Sequence, residues 1–120
     1  MGKKTNEYVS SRVSSVIGKG TEIEGIIRPH ELIRIEGSVK GQIISEGTVI
    51  IGRGGYIDGI INADILLAGG EIRGEIFAKK VEVNPSGKIF GDIHTKSLIV
   101  DEKAIFEGRC EMTDQNQSEE

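Results

Sequence analysis

Tryptophan is absent from this sequence, and aromatic residues make up only 4% of it. That scarcity argues against the aromatic platforms on which single-stranded nucleic acids stack. The formal net charge of -4 gives no general attraction to phosphate backbones either. Cys110 is the single cysteine, so no disulfide can form within the chain. His30 and His94 are the only histidines, too few for a three-histidine zinc site. No apolar run approaches the ~18 residues of a membrane span, and the first residues lack the apolar core of a secretory signal. A cytoplasmic protein is therefore expected. Met1-Gly2-Lys3-Lys4-Thr5-Asn6 also fails the myristoylation pattern, which needs Ser or Thr at the sixth position. Leucine is scarce as well: 4 Leu stand against 20 Ile and 8 Val. Helical cores favour Leu, whereas β-branched side chains stiffen at χ1 and fit strands.

Glycine is plentiful, at 17 of 120 residues, and it is periodic. An apolar residue lies two before and two after a central Gly in Ile23-Glu24-Gly25-Ile26-Ile27, Val39-Lys40-Gly41-Gln42-Ile43 and Ile57-Asp58-Gly59-Ile60-Ile61. The unit recurs as Ile72-Arg73-Gly74-Glu75-Ile76, Ile89-Phe90-Gly91-Asp92-Ile93 and Phe106-Glu107-Gly108-Arg109-Cys110. The glycines are 16, 18, 15, 17 and 17 residues apart. A second strand falls between the units at Ile33-Arg34-Ile35, Val49-Ile50-Ile51, Ile65-Leu66-Leu67, Val81-Glu82-Val83 and Leu98-Ile99-Val100, with steps of 16, 16, 16 and 17. Each unit reads as a strand with one face inward. By strict alternation the central Gly shares that inward face, where a side chain would crowd a narrow interior. No repeat buries its apolar face alone, so repeats must stack. A period near 17 is too short for a helix plus a strand. The expected fold is all-β: a single-stranded parallel β-helix of about six coils over residues 15–111. Residues 1–14 and 112–120 fall outside the repeat as a flexible N-terminal tail and an acidic C-terminal tail. Asn84-Pro85-Ser86-Gly87 carries type I turn chemistry.

A β-helix leaves unpaired strand edges and an apolar layer at each end, which proteins usually cap. Neither tail supplies an amphipathic cap. Val16 and Ile17 open the first coil, and Ile105 and Phe106 begin the last, so these four residues are the expected polymerisation surface. Ends that join without closing make a filament. On the outward register Glu24, Lys40, Asp58 and Arg73 alternate in sign, a pattern that resists register slips. Ile26, Ile44, Ile60 and Phe77 also point outward and are candidates for lateral or partner contact. Lys3, Lys4 and Arg12, with Tyr8 and Val9 between them, are candidates for contact with anionic lipid.

Ser15-Val16-Ile17-Gly18, the I-x-G-x-I series and the closing Phe106-Glu107-Gly108-Arg109-Cys110 together resemble the bactofilins, over about residues 15–111. The resemblance implies right-handed coils and nucleotide-independent, nonpolar filaments that serve as a bacterial cytoskeletal scaffold at the cytoplasmic membrane face. Cell shape, wall synthesis, motility or polar organisation would be the processes served. It further implies a homopolymer with the inner membrane and cell-wall or motility proteins as partners, a membrane-binding N-terminal segment, and a subunit contact at Phe106.

An enzyme is not expected, nor a cofactor or a small-molecule substrate. The serious rival is a trimeric left-handed β-helix acyltransferase of the hexapeptide type. Its six-residue period is lost after Ile51, Ile57 and Ala63, at Gly69. His94 lies on the outward register, and Cys110 occupies an inward position with no histidine beside it in register. Gly18-Lys19-Gly20-Thr21 lacks the first Gly and the Lys-Ser/Thr pair of a phosphate loop.

Overall fold

The computed structural model describes residues 15–113. Ten strands follow in order: β1 (Ser15–Ile17), β2 (Glu22–Ile27), β3 (Leu32–Ile35), β4 (Ser38–Ile44), β5 (Thr48–Ile51), β6 (Tyr56–Ala68), β7 (Glu71–Val83), β8 (Lys88–Thr95), β9 (Ser97–Val100) and β10 (Ile105–Met112). Every ladder between them is parallel. The chain winds through about six stacked turns of a parallel β-solenoid, each turn pairing with the next. Two runs of ladders result. One joins β1, β3, β5, the end of β6, the end of β7 and β9. The other joins β2, β4, β6, β7, β8 and β10.

Four inward columns of large apolar side chains make up most of the core, flanked by the smaller Ser45, Ala63, Ala78 and Thr95. The first ladder supplies Ile33, Val49, Leu66, Val81 and Leu98, and beside them Ile17, Ile35, Ile51, Ala68, Val83 and Val100. The second supplies Ile23, Val39, Ile57, Ile72, Ile89 and Phe106, and beside them Ile27, Ile43, Ile61, Ile76, Ile93 and Cys110. Middle members of these columns are fully buried. A β-branched side chain standing on a pleated strand packs directly onto its copy one turn away, which explains the excess of Ile over Leu.

The six glycines of the repeat pair with one another in register, but they do not line the interior as alternation suggests. They lie at the surface, on a corner that splits the second ladder into two flat faces. All six hold φ between 134° and 147°, a region closed to other residues. A Cβ on any of the last five would run into the carbonyl oxygen of the glycine one turn below. Glycine is thus required by the bend and by the backbone stacked beneath it, not by a narrow core.

One register also differs from the sequence reading. Val49 pairs with Leu66, not Ile65, so Leu66 and Ala68 turn inward while Ile65 and Leu67 turn outward. The strands keep their spacing and the corners vary. From the first ladder to the second, Ile17 to Ile23 and Ile51 to Ile57 span six residues, whereas Ile35 to Val39 and Ala68 to Ile72 span four. The six-residue corners hold four-residue turns closed by Thr21 N–H to Gly18 O (3.2 Å), Gly55 N–H to Gly52 O (2.9 Å), Gly87 N–H to Asn84 O (2.8 Å) and Ala104 N–H to Asp101 O (2.9 Å). Gly18-Lys19-Gly20-Thr21 is one of these turns. Coil-to-coil steps of 15 to 18 do not fit a hexapeptide solenoid, and that rival reading is set aside.

Candidate assembly interface

At the ends of the solenoid the inward columns stop without a further layer from the described residues. Among the described residues, β1 and β2 pair only with β3 and β4, and β9 and β10 only with β7 and β8. One edge of each thus meets no described strand, the kind of edge that serves as a template for another strand. The final layer consists of Leu98, Val100, Phe106 and Cys110, none of them fully buried. Met112, next along β10, is 54% exposed. At the opposite end Ile17, Ile23 and Ile27 form the first layer.

Of the four residues expected at the polymerisation surface, two belong to these layers. Phe106 stacks in register on Ile89, and Ile17 caps a column above Ile35. Val16 and Ile105 point sideways instead, pairing with the outward Arg34 and Lys88, and are 60% and 40% exposed. They border the ends without covering them. Sequence reasoning missed Leu98 and Val100 as members of the open layer and Met112 beside it, which the ladder register places there.

Three outer faces run the length of the solenoid. The face before the glycine corner is charged. Its row Glu24, Lys40, Asp58, Arg73, Phe90 and Glu107 is in register as expected. Arg73, however, bonds Glu71 through Nε at 2.7 Å and lies over the Phe90 ring at 4.5 Å. Glu71 raises its already high pKa, and the guanidinium stays charged. The face after the corner carries Ile26, Ile60, Ile44 and Phe77, but Gln42, Asn62 and Glu75 interrupt them in register. The Lys3, Lys4, Tyr8, Val9 and Arg12 candidates lie outside the described residues.

Chemistry-bearing groups gather near the last turn. His94 stacks on Phe77 with centroids 4.5 Å apart. Its Nδ1 is 3.0 Å from Glu111 Oε1 and its Nε2 is 3.3 Å from Glu75 Oε2. The ring thereby links three turns. Cys110 borders the same depression, of about 300 Å³, but sits in an inward column while His94 points outward. The thiol contacts Met112 Sδ at 3.6 Å, and burial raises its pKa. That is the opposite of what activates a nucleophile. The described residues include no metal-binding cluster and no helix long and apolar enough to cross a membrane.

Comparison with known proteins points the same way as the open ends. Bactofilin BacO of Myxococcus xanthus is 29% identical over 100 residues, covering 82% of this chain and 79% of that protein. Bactofilin BacP of the same organism is 28% identical over 102 residues, covering 84% of this chain but 42% of its relative. Among solved structures, the cryo-EM reconstruction of double helical filaments of Thermus thermophilus bactofilin superposes with a TM-score of 0.79 at 28% identity, covering 82% of this chain and 99% of that one. A crystal structure of a phenylalanine-to-arginine mutant of Thermus thermophilus bactofilin gives a TM-score of 0.70 at 28% identity, covering 72% and 98%. The family model of the polymer-forming cytoskeletal bactofilins matches residues 15–111, and the chain belongs to the bactofilin family.

Proposed function

We propose that the protein is a bacterial cytoskeletal scaffold that assembles end to end into filaments without nucleotide. The observation that carries this reading is the final layer, with Phe106 stacked on Ile89 and no described strand on the outer edge of β10. Joining two ends restores strand pairing and covers apolar side chains, so the driving force is burial already present in the folded chain. Phe106 is already partly buried, so covering the rest of its side chain contributes less than the ~1.5–3 kcal/mol of a fully exposed one. A nucleotide has no step to drive. The filament of the Thermus relative supports the same behaviour here.

The scaffold would act in the cytoplasm at the inner membrane face, with residues Lys3, Lys4, Tyr8, Val9 and Arg12 as the lipid contact. Cell-wall or motility proteins would be its partners, in keeping with shape, wall synthesis, motility or polar organisation. No catalytic role is assigned to any residue.

Electron microscopy of purified, nucleotide-free protein should show filaments. Phe106→Arg should give folded, short, soluble species with unchanged far-UV circular dichroism. Discrete trimers of the wild-type protein, or unaltered filaments from the variant, would refute the assembly reading.

A further inference from the structure

The outer face of the first ladder is unlike the other two. Its outward row reads Val16, Arg34, Ile50, Leu67, Glu82 and Ile99, one residue from each turn in register. A parallel row beside it reads Leu32, Thr48, Ile65, Lys80 and Ser97. The strands beneath are consequently apolar on both sides in Val49-Ile50-Ile51, Ile65-Leu66-Leu67 and Leu98-Ile99-Val100. Parallel strands with that pattern normally have both faces covered.

The order along the first row is self-complementary. Two copies placed face to face, with solenoid axes antiparallel and strands running the same way, bring the first turn opposite the sixth, the second opposite the fifth and the third opposite the fourth. Val16 then meets Ile99, Arg34 meets Glu82, and Ile50 meets Leu67. In the second row Thr48 meets Ile65, and the Lys80 stem lies along Leu32. Glu82 has no ion-pair partner among the described residues. Arg34 bonds Glu36 through Nε at 2.8 Å, but its five N–H donors are not exhausted by one bond. The face after the glycine corner fails the same operation, since Ile26 would meet Arg109 and Ile60 would meet Glu75.

We infer that the face built by β1, β3, β5, the ends of β6 and β7, and β9 is a self-pairing surface, and that its occupant is a second copy of this chain held antiparallel by Arg34–Glu82 pairs around an Ile50–Leu67 centre. The face is roughly 29 Å by 13 Å from strand spacing and rise. That is well below the ~800 Å² per partner of a standard stable interface. A single pair is therefore weak, and contacts repeated along two filaments add through effective concentration. The inference rests on end-to-end assembly for its strength, not for its geometry.

The test reverses the charges. Wild-type filaments should be paired, Arg34→Glu and Glu82→Arg should each give single filaments, and the double reversal should restore pairing. Equal widths in all four proteins overturn the inference. So does unaltered pairing with lost binding to phosphatidylserine vesicles, which would make this a lipid-facing surface. Disulfide trapping reads the geometry whether or not filaments form. Two chains of different length, both Cys110→Ser, one Arg34→Cys and the other Glu82→Cys, are mixed and oxidised. The mixed 34–82 dimer should exceed either homodimer at least fivefold. A statistical mixture refutes self-pairing. Failure of the wild-type protein to form filaments, with the mixed dimer still enriched, sinks end-to-end assembly alone.

Discussion

The residue that most constrains this fold is the corner glycine. At Gly74 φ is 138°, and an added Cβ would overlap the carbonyl oxygen of Gly59. Both penalties are backbone penalties, so no side-chain rotation relieves them. Gly74→Ala should cost about 3 kcal/mol, read as a fall in the urea midpoint at constant slope. Gly54→Ala is the control. A Cβ there has nothing nearer than 3.8 Å, and the change should stay within about 0.5 kcal/mol. Equal losses at the two positions would contradict the corner geometry.

Among the strands, the sequence was most legible where apolar and polar residues alternate. The I-x-G-x-I units align as spaced because in five of the six a charged residue separates the first inward residue from the Gly. Alternation failed at Ile65-Leu66-Leu67-Ala68, where both faces are apolar and hydropathy carries no phase. It also misplaced the glycines, since a period of two assumes a straight strand and the strand bends there. The corners escaped for a third reason: Glu36-Gly37 and Gly69-Gly70 each do in two residues what Asn84-Pro85-Ser86-Gly87 does in four, and both have turn composition. At the open ends, Phe106 was recognisable from its repeat, whereas Val100 and Met112 needed the ladder register. The corrected register is testable. Leu66 is fully buried, and Leu66→Ala should cost about 2–5 kcal/mol. Leu67→Ala should cost about 1 kcal/mol or less in the same unfolding measurement. The reverse order would return Ile65 and Leu67 to the core.

At the scale of the whole molecule, the strand ladders among the described residues join adjacent turns, and stability is close to a sum of layer terms. Nothing in that arrangement distinguishes a layer within one chain from a layer shared by two, except the side chains present. The membrane reading belongs to this scale too, because a filament multiplies a weak lipid contact. Filaments of the full chain should co-sediment with anionic liposomes. A chain beginning at Ser14 should form the same filaments yet stay largely in the supernatant at 150 mM salt, where ~1 kcal/mol per basic residue no longer accumulates. Equal sedimentation of the two would remove the N-terminal residues from that role.

The final layer, which no described residue covers, has a mechanical consequence. Inside a turn of the rod the covalent chain carries load from layer to layer, whereas at a joint only hydrogen bonds and packed side chains do. A fibre built this way would resist bending almost uniformly but would have a tensile weak point once per subunit. Pulled lengthwise, it should part between subunits before any turn unwinds. Each break would leave folded ends ready to rejoin, so the fibre would behave as a reversible fuse in a cell under turgor.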